Sequence, residues 1–554
     1  MHCRPLFFLA LLLLASCTAP PRPATSGVVA TVHPLATAAG LDALRRGGSA
    51  VDAAVAAALT LGVVDGHNSG IGGGCFALVR RPDGTILAID GRETAPRAAH
   101  RDMYVRDGKA DPALSQIGAL AAGVPGSLAV YDHLLRHGGG RLALADLLAP
   151  AADLAEGGFP LDATYAQRLD ATAKDLGRFP ESRVIFLDAE GNPHPKGFTL
   201  RQGDLARTYR AIAREGIGWF YAGPFAQSVE RWMRANAGLL TAADFADYRI
   251  VPRQPLVTTY RGYTLVGFPP PSSGGLHVAQ ILSILEPFDL AALPAITRAH
   301  VTAEAMKLAF ADRAHWLGDP AFAKVPRGLL SRDYARALSA RIDPAKATPV
   351  EGPGQPPAAD IDVFEGKHTT HIAAADADGT WVAITTTLNT SFGSKVVVPG
   401  TGVLLNNQMD DFSVQSGLPN AFGLIGADAN AIAPGKRPLS SMSPTLVLDP
   451  SGRPRLTLGA AGGPTIISQV TQALIYTIDL HLPLGQALAA PRIHHHWRPD
   501  TLVVERSLGE GTIAALRAMG HKVEVRDKLG ACQGAAITPS GTLVAIPDPR
   551  VPRE

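Results

Sequence analysis

The chain has 554 residues, with 51 Lys and Arg against 49 Asp and Glu and a formal net charge of +2. That length and apolar content suffice for a large core or for two ordinary domains. The balanced, scattered charge speaks against a nucleic-acid or acidic-polymer partner. There is no internal repeat at solenoid or propeller spacing, and no apolar run of membrane length follows the leader.

The leader, residues 1–18, sets Arg4 before an apolar run from Leu6 to Ala15, a signal-peptide core too short to cross a bilayer. It ends Leu14-Ala15-Ser16-Cys17, the pattern of a bacterial lipobox. On that reading Cys17 is lipidated and the mature protein is lipid-anchored in the cell envelope, facing the periplasm. The alternative is a plain secretory signal cut after Ala19, leaving a soluble periplasmic or secreted protein. Beyond the leader only Cys75 and Cys532 remain. An oxidising compartment permits them to pair, although Cys75 within GGGCFALV reads as a small buried residue.

Helical spacing over Leu35–Arg46 stops at Gly47-Gly48, and Ser49 caps an alanine-rich helix from Val51 to about Leu61. The run Asn68 to Gly74 lacks the Lys-Ser/Thr of a phosphate loop and enters a strand, so it reads as close backbone packing under a site. CFALVRR-PDG-TILAIDG is strand, turn and strand, with Arg92 just beyond. A guanidinium there suits a substrate carboxylate, against the plainer reading of an Arg paired with Glu93. From about Thr94 to Ile342 the pattern is mostly helical, as in His277–Leu285 and His300–Leu317, with charged residues read as solvated faces. Pro269-Pro270-Pro271-Ser272-Ser273-Gly274-Gly275 is a rigid turn before a helix, or a weak polyproline ligand.

A Pro/Gly-rich linker, within about 344–366, is expected to be exposed and mobile. It leads to Lys367-His368-Thr369-Thr370-His371 and a hairpin turning at Asp378-Gly379. Further hairpins turn at Pro450-Ser451-Gly452 and Pro539-Ser540-Gly541. With the one at Pro82-Asp83-Gly84 they give at least four antiparallel pairs, able to bury two sheet faces together with helices outside. Arg92, Asn389 and Gly462-Gly463 each follow an outgoing strand and are expected to converge at one rim. His494-His495-His496 invites a metal reading, but adjacent strand residues face opposite ways and no further ligand is evident, so no metal is assigned.

Thr369 carries the chemical interest. A threonine hydroxyl needs a neighbouring base, and an N-terminal α-amine, titrating near ~8, can be that base if the chain is cut before Thr369. The competing reading is an ordinary strand start.

A set of motifs in order decides between these. GGSAVDAAVAAALTLGVV, NSGIGGGCFALV, GRETAP, FPPPSSGG, TTHIAAADADGTWVAITTTLNTSFG, LLNNQMDDFS, KRPLSSMSPT and GAAGGP together resemble the γ-glutamyltransferase family of N-terminal-nucleophile hydrolases. The resemblance implies an α+β, four-layer αββα sandwich of two antiparallel sheets between helical layers. It implies autocleavage between His368 and Thr369 into a large subunit, 19–368, and a small catalytic subunit, 369–554, intertwined as one domain and held as a heterodimer. Thr369 is then the nucleophile, Thr387 the threonine that positions its amine, and Gly462 and Gly463 the oxyanion hole. Arg92, Ser440 and Ser441 would hold the substrate α-carboxylate, and Asn389, Gln408 and Asp411 its α-amino end. Ordinary polar turns remain the alternative for Asn406-Asn407-Gln408, Asp410-Asp411 and Ser440-Ser441. Phe422 stands in a lid, 417–436, where many relatives have a tyrosine bonded to the asparagine corresponding to Asn389, which implies easier water entry. The implied substrates are glutathione and other γ-glutamyl compounds, with water, amino acids or dipeptides as acceptors and no cofactor. An acylase for glutaryl or cephalosporin-type amides on the same fold, or an inactive binding lipoprotein, are the alternatives.

Overall fold

The computed structural model describes residues 25–357 and 371–551; Cys17, His368 and Thr369 lie outside them. One sheet contains β1 (Gly27–Ala30), β2 (Gly74–Arg80), β3 (Ile86–Gly91) and β4 (Val251–Arg253). The other includes β5 (Leu256–Tyr260) and β6 (Tyr263–Gly267). The later chain adds β7 (His371–Asp376) and β8 (Trp381–Thr387) to the first. To the second it adds β9 (Thr445–Leu448), β10 (Pro454–Ala461), β11 (Ala531–Ile537) and β12 (Leu543–Ile546). The two six-stranded sheets run β1-β7-β8-β2-β3-β4 and β12-β11-β10-β9-β6-β5, with every pairing antiparallel.

The strands are apolar on both faces because both are covered. In β2, Cys75, Ala77 and Val79 join the core beneath the helices, while Phe76 and Leu78 point to the other sheet. Phe76, Leu78, Trp381 and Ala383 meet Val266, Phe268, Met442 and Leu446 between the sheets. The outer layers include α1 (Pro34–Arg45), α2 (Ala50–Val64), α3 (Ser127–His137), α4 (Leu144–Gly157), α5 (Ala163–Leu176) and α6 (Gly203–Glu215). Opposite them lie α7 (Gly274–Leu285), α8 (Ala295–Trp316) and α9 (Thr465–Leu474). α2 packs on β7 and β8, whereas α9 packs on β10 and β11. This is the αββα sandwich expected.

Local signals hold where they are strongest. Ser49 caps α2 in a reciprocal box, its backbone N donating to Asp52 Oδ2 at 2.6 Å. The three hairpin turns expected after Thr369 and the earlier one at Pro82-Asp83-Gly84 all form. Cys75 and Cys532 are buried, free thiols.

The stretch read as mostly helical is so, and it also supplies the short strands β4, β5 and β6, paired to β3, to one another and to β9. Three expectations are corrected. The Pro269–Pro271 turn is buried, which removes the polyproline-ligand alternative. The charged residues of α8 are not a solvated face: Glu304, Lys307, Asp312 and Arg313 are all buried. Apolar residues occupy every side of this helix, the mark of one enclosed all round. The described part of the linker is held rather than loose, through bonds to those same side chains. Lys307 Nζ donates to Thr348 O (2.8 Å), Thr348 N to Glu304 Oε2 (2.9 Å) and Gly354 N to Asp312 Oδ1 (2.7 Å). Trp497 Nε1 adds a bond to Val350 O at 2.8 Å.

The glycine run is close packing, as read. A Cβ on Gly73 would lie 1.8 Å from Thr387 O, and one on Gly72 2.0 Å from Leu404 O. Gly73→Ala is therefore expected to destabilise the protein by about 1–3 kcal/mol or more. Gly511→Ala, in an exposed helix with nothing within 4 Å of the added carbon, should stabilise by roughly 0.4–1 kcal/mol. Paired denaturant titrations check both signs.

Candidate active site

Arg92 leaves β3 fully buried, at 0% exposure. Its Nη2 donates to Asp411 Oδ2 at 2.6 Å and its Nη1 to Glu93 Oε2 at 3.2 Å. Its backbone is fixed as firmly: Arg92 N donates to Asp90 Oδ1 (2.7 Å), and Arg92 O accepts from Tyr248 OH (2.8 Å) and Arg437 Nη1 (2.6 Å). Arg92 Nε has no hydrogen-bond partner among the described residues. The same is true of both side-chain ends of Gln408, which is fully buried in a 3-10 turn, Gln408–Asp411. Unsatisfied buried donors and acceptors beside an ion pair are where a polar ligand is expected.

The two aspartates of that turn divide their work. Asp411 meets Arg92 and, at 3.4 Å, Asn420 Nδ2. Asp410 accepts from Ser115 Oγ (2.7 Å) and Ala421 N (2.9 Å), and burial pushes its carboxyl pKa up. Both therefore grip the segment that carries Phe422. Asn420 Oδ1 in turn accepts from Phe422 N (3.0 Å) and Leu424 N (3.1 Å), an Asx-type turn.

Thr387, Asn389, Phe422, Gly462 and Gly463 line one cleft of about 460 Å³. Asn389 sits at φ 82°, held by its N to Thr387 Oγ1 (2.7 Å) and its Nδ2 to Asn407 O (3.0 Å). Gly462 and Gly463 follow β10 with φ 136° and 59°, conformations that favour glycine. Their N–H groups make no turn or cap bond with another described backbone group. The Phe422 ring lies on Gly463, where an added Cβ would come 2.7 Å from its Cδ1. Asn389 and the glycines thus share a rim as expected. Arg92 does not line it, and neither do Asp411 and Gln408; all three are buried.

Ser440 and Ser441 meet a cation that sequence reasoning passed over. Arg313 Nη2 donates to Ser440 O and Ser441 Oγ, both at 3.2 Å, and its Nε to Ser273 Oγ at 2.9 Å. Burial lowers the Arg313 pKa to about 10, against the opposing pull of Asp411. The signal lay in α8 itself, since an Arg in a helix with apolar residues on every side must find a buried partner.

The histidine run forms its own network: His494 Nε2 contacts His496 Nδ1 at 2.9 Å and His494 Nδ1 contacts Ser468 Oγ at 2.7 Å. Elsewhere His300, Glu304 and His521 bring possible ligand atoms within 4.8 Å of one another. There the Lys307 ammonium already lies 2.7 Å from Glu304 Oε1, and His300 Nε2 contacts Asp343 O at 2.8 Å. The group clamps the linker.

Two antiparallel sheets between helical layers, with a cleft at the end of β8 and β10, define an N-terminal-nucleophile hydrolase. The Gamma-glutamyltranspeptidase family profile matches residues 36–554, and the chain belongs to that family. It is an enzyme of hydrolase type. A glutathione hydrolase proenzyme of Escherichia coli strain K12 is 42% identical over 534 residues, 95% of this chain and 91% of that protein. A cephalosporin acylase structure from Bacillus halodurans superposes with a TM-score of 0.83 at 30% identity, covering 98% of both chains. A Helicobacter pylori γ-glutamyltranspeptidase chain gives 0.56 at 38% identity, covering 57% of this chain and 92% of its own.

The Arg92–Asp411 pair is almost solvent-free, at 0% and 2% side-chain exposure. Asp411→Ala should therefore cost about 3–5 kcal/mol, towards the lower end because Glu93 remains beside Arg92. Chemical denaturation against wild type measures it.

Proposed function

We propose that this enzyme is a γ-glutamyltransferase with glutathione hydrolase activity, made as a proenzyme that cuts itself between His368 and Thr369. The observation that carries the reading is the buried Arg92–Asp411 pair with unsatisfied Arg92 Nε and Gln408 next to it. The amino-acid end of a γ-glutamyl group is a zwitterion and needs both signs in one place. Its carboxylate suits Arg92 and its ammonium suits Asp411, with Gln408 and Asn389 completing the polar contacts. A glutaryl group lacks the ammonium and so offers no substrate charge for Asp411 to meet beyond its pairing with Arg92.

Cleavage before Thr369 makes its α-amine the base for its own hydroxyl. His371 pairs with Thr385 at the start of β7, and Thr387 lies two residues further along β8, towards the side from which the chain enters. That location supports Thr387 as the group that orients the amine. Thr369 Oγ attacks the γ-carbonyl and its proton passes to the amine. Gly462 and Gly463 N–H groups stabilise the oxyanion. The leaving amine takes the proton as the C–N bond breaks, leaving a γ-glutamyl ester that water or an acceptor amine resolves. Phe422 closes over Gly463 without a hydroxyl, which favours water over an acceptor. The fragments on either side of the cut then remain as an intertwined heterodimer, and a lipidated Cys17 at the head of the larger one anchors it at the envelope membrane. The second reading, an acylase for cephalosporin-type amides, draws on the whole-chain likeness to the Bacillus halodurans structure.

A denaturing gel with N-terminal sequencing is expected to give two fragments, the smaller beginning at Thr369, with Thr369→Ala uncut and inactive. γ-Glutamyl anilide should be cleaved far faster than glutaryl anilide. Asp411→Asn should erode that preference by roughly 10–100-fold, the loss of one charge-assisted hydrogen bond. Equal rates on the two anilides would instead favour the acylase. Phe422→Tyr should move the product ratio from hydrolysis towards transfer to glycylglycine; an unchanged ratio removes the lid from that balance.

A further inference from the structure

Other buried guanidiniums of this protein are matched by carboxylates. Arg92 has Asp411 and Glu93, Arg437 has Asp90, and Arg492 has Asp548. Arg313 on α8 departs from that pattern. It is 3% exposed, yet it makes no ion pair with a described residue. Its hydrogen bonds go to neutral oxygens, Ser273 Oγ, Ser440 O and Ser441 Oγ, and its Nη1 donates to no described residue. Asp411, the carboxylate whose charge reaches it, is already paired with Arg92.

Burial lowers the Arg313 pKa only to about 10, so the group stays charged at pH 7. Neutral acceptors return only part of the cost of taking a cation out of water. Ser273 also stands directly before α7, whose positive end adds to the local potential. The place therefore calls for an anion. Charge balance in the neighbouring site points the same way. Arg92 with Asp411 and Glu93 carries one negative charge in excess, and a site of that sign repels a carboxylate. Arg313, close enough to feel Asp411, cancels the excess. Its bond to Ser441 also turns that O–H away from the guanidinium, the direction in which a hydroxyl donates to an anion.

We propose that Arg313 is a positioning residue of the donor site: acting through Ser440 and Ser441, it supplies the positive charge that the α-carboxylate of the γ-glutamyl group balances. Arg92, shared with two carboxylates, orients that group, and Asp411 meets the ammonium. The proposal rests on the γ-glutamyl-enzyme reading and adds a second cation to the carboxylate end.

The test uses the processed enzyme and three donors: γ-glutamyl anilide, 4-aminobutyryl anilide, which lacks only the carboxylate, and glutaryl anilide, which lacks only the ammonium. The readouts are the kcat/KM ratios of the first donor to each of the others. Wild type is expected to prefer γ-glutamyl to 4-aminobutyryl anilide. Arg313→Gln should erode that preference by roughly 10–100-fold through KM, the scale of one charge-assisted contact. The preference over glutaryl anilide should be kept or increased. Arg313→Lys, which keeps the charge, should retain most of the carboxylate preference. Where the glutamine variant yields no folded enzyme, Ser273→Ala decides: it removes the partner of Nε and should lower the same ratio by about 3-fold. A loss shared equally by all three donors is what a purely structural Arg313 produces, and it overturns the proposal. If wild type does not prefer γ-glutamyl to 4-aminobutyryl anilide, the donor reading fails and the proposal with it. A wild-type preference that survives Arg313→Gln, or Ser273→Ala in its place, overturns the proposal alone.

Discussion

A buried guanidinium cannot be left alone, and the arrangement around Arg92 follows from that constraint. Taking an unpaired charge out of water costs several kcal/mol even after relaxation, so Arg92 at 0% exposure demands anions. Glu93 comes from the next residue, but Asp411 comes from 319 residues away. To bring it there the chain must complete the first sheet with β7 and β8 and return. Asp90 is drawn in as well, binding Arg92 N while Arg253 and Arg437 compensate its charge. One cation at the end of β3 thereby ties together segments from the whole chain.

The cleft is shaped by a second constraint, the lack of room for side chains behind it. Gly73 backs onto the carbonyl of Thr387, and Gly463 faces the ring of Phe422. The residues that line the cleft are therefore positioned by backbone contact on one side and by a lid on the other. That lid is itself anchored by Asp410 and Asp411 through Ala421 and Asn420. The segment that carries Phe422 and the charge of the buried pair thus share one short turn.

The linker ahead of the proposed cut is drawn along the surface of α8 by Lys307, Glu304 and Asp312. Proline and glycine content describes how a segment behaves when nothing holds it; here buried charges at the helix surface find their partners in its backbone. The same buried groups of α8 thus hold the linker at Thr348 and Gly354.

Much was legible from the residues in order. The hairpins at Asp378-Gly379, Pro450-Ser451-Gly452 and Pro539-Ser540-Gly541, the cap at Ser49 and the close packing of the glycine run depend on neighbours a few residues apart, so composition and spacing suffice. Motif order carried the family and the sandwich. What only the tertiary structure decided were the partnerships between distant buried groups: Asp411 on Arg92, Arg313 beneath Ser440 and Ser441, the linker on α8, and the strands β4 to β6. No local pattern encodes them, because a buried charge or an edge strand is stabilised by whatever the rest of the fold brings to it, and that is known only once the chain has closed on itself.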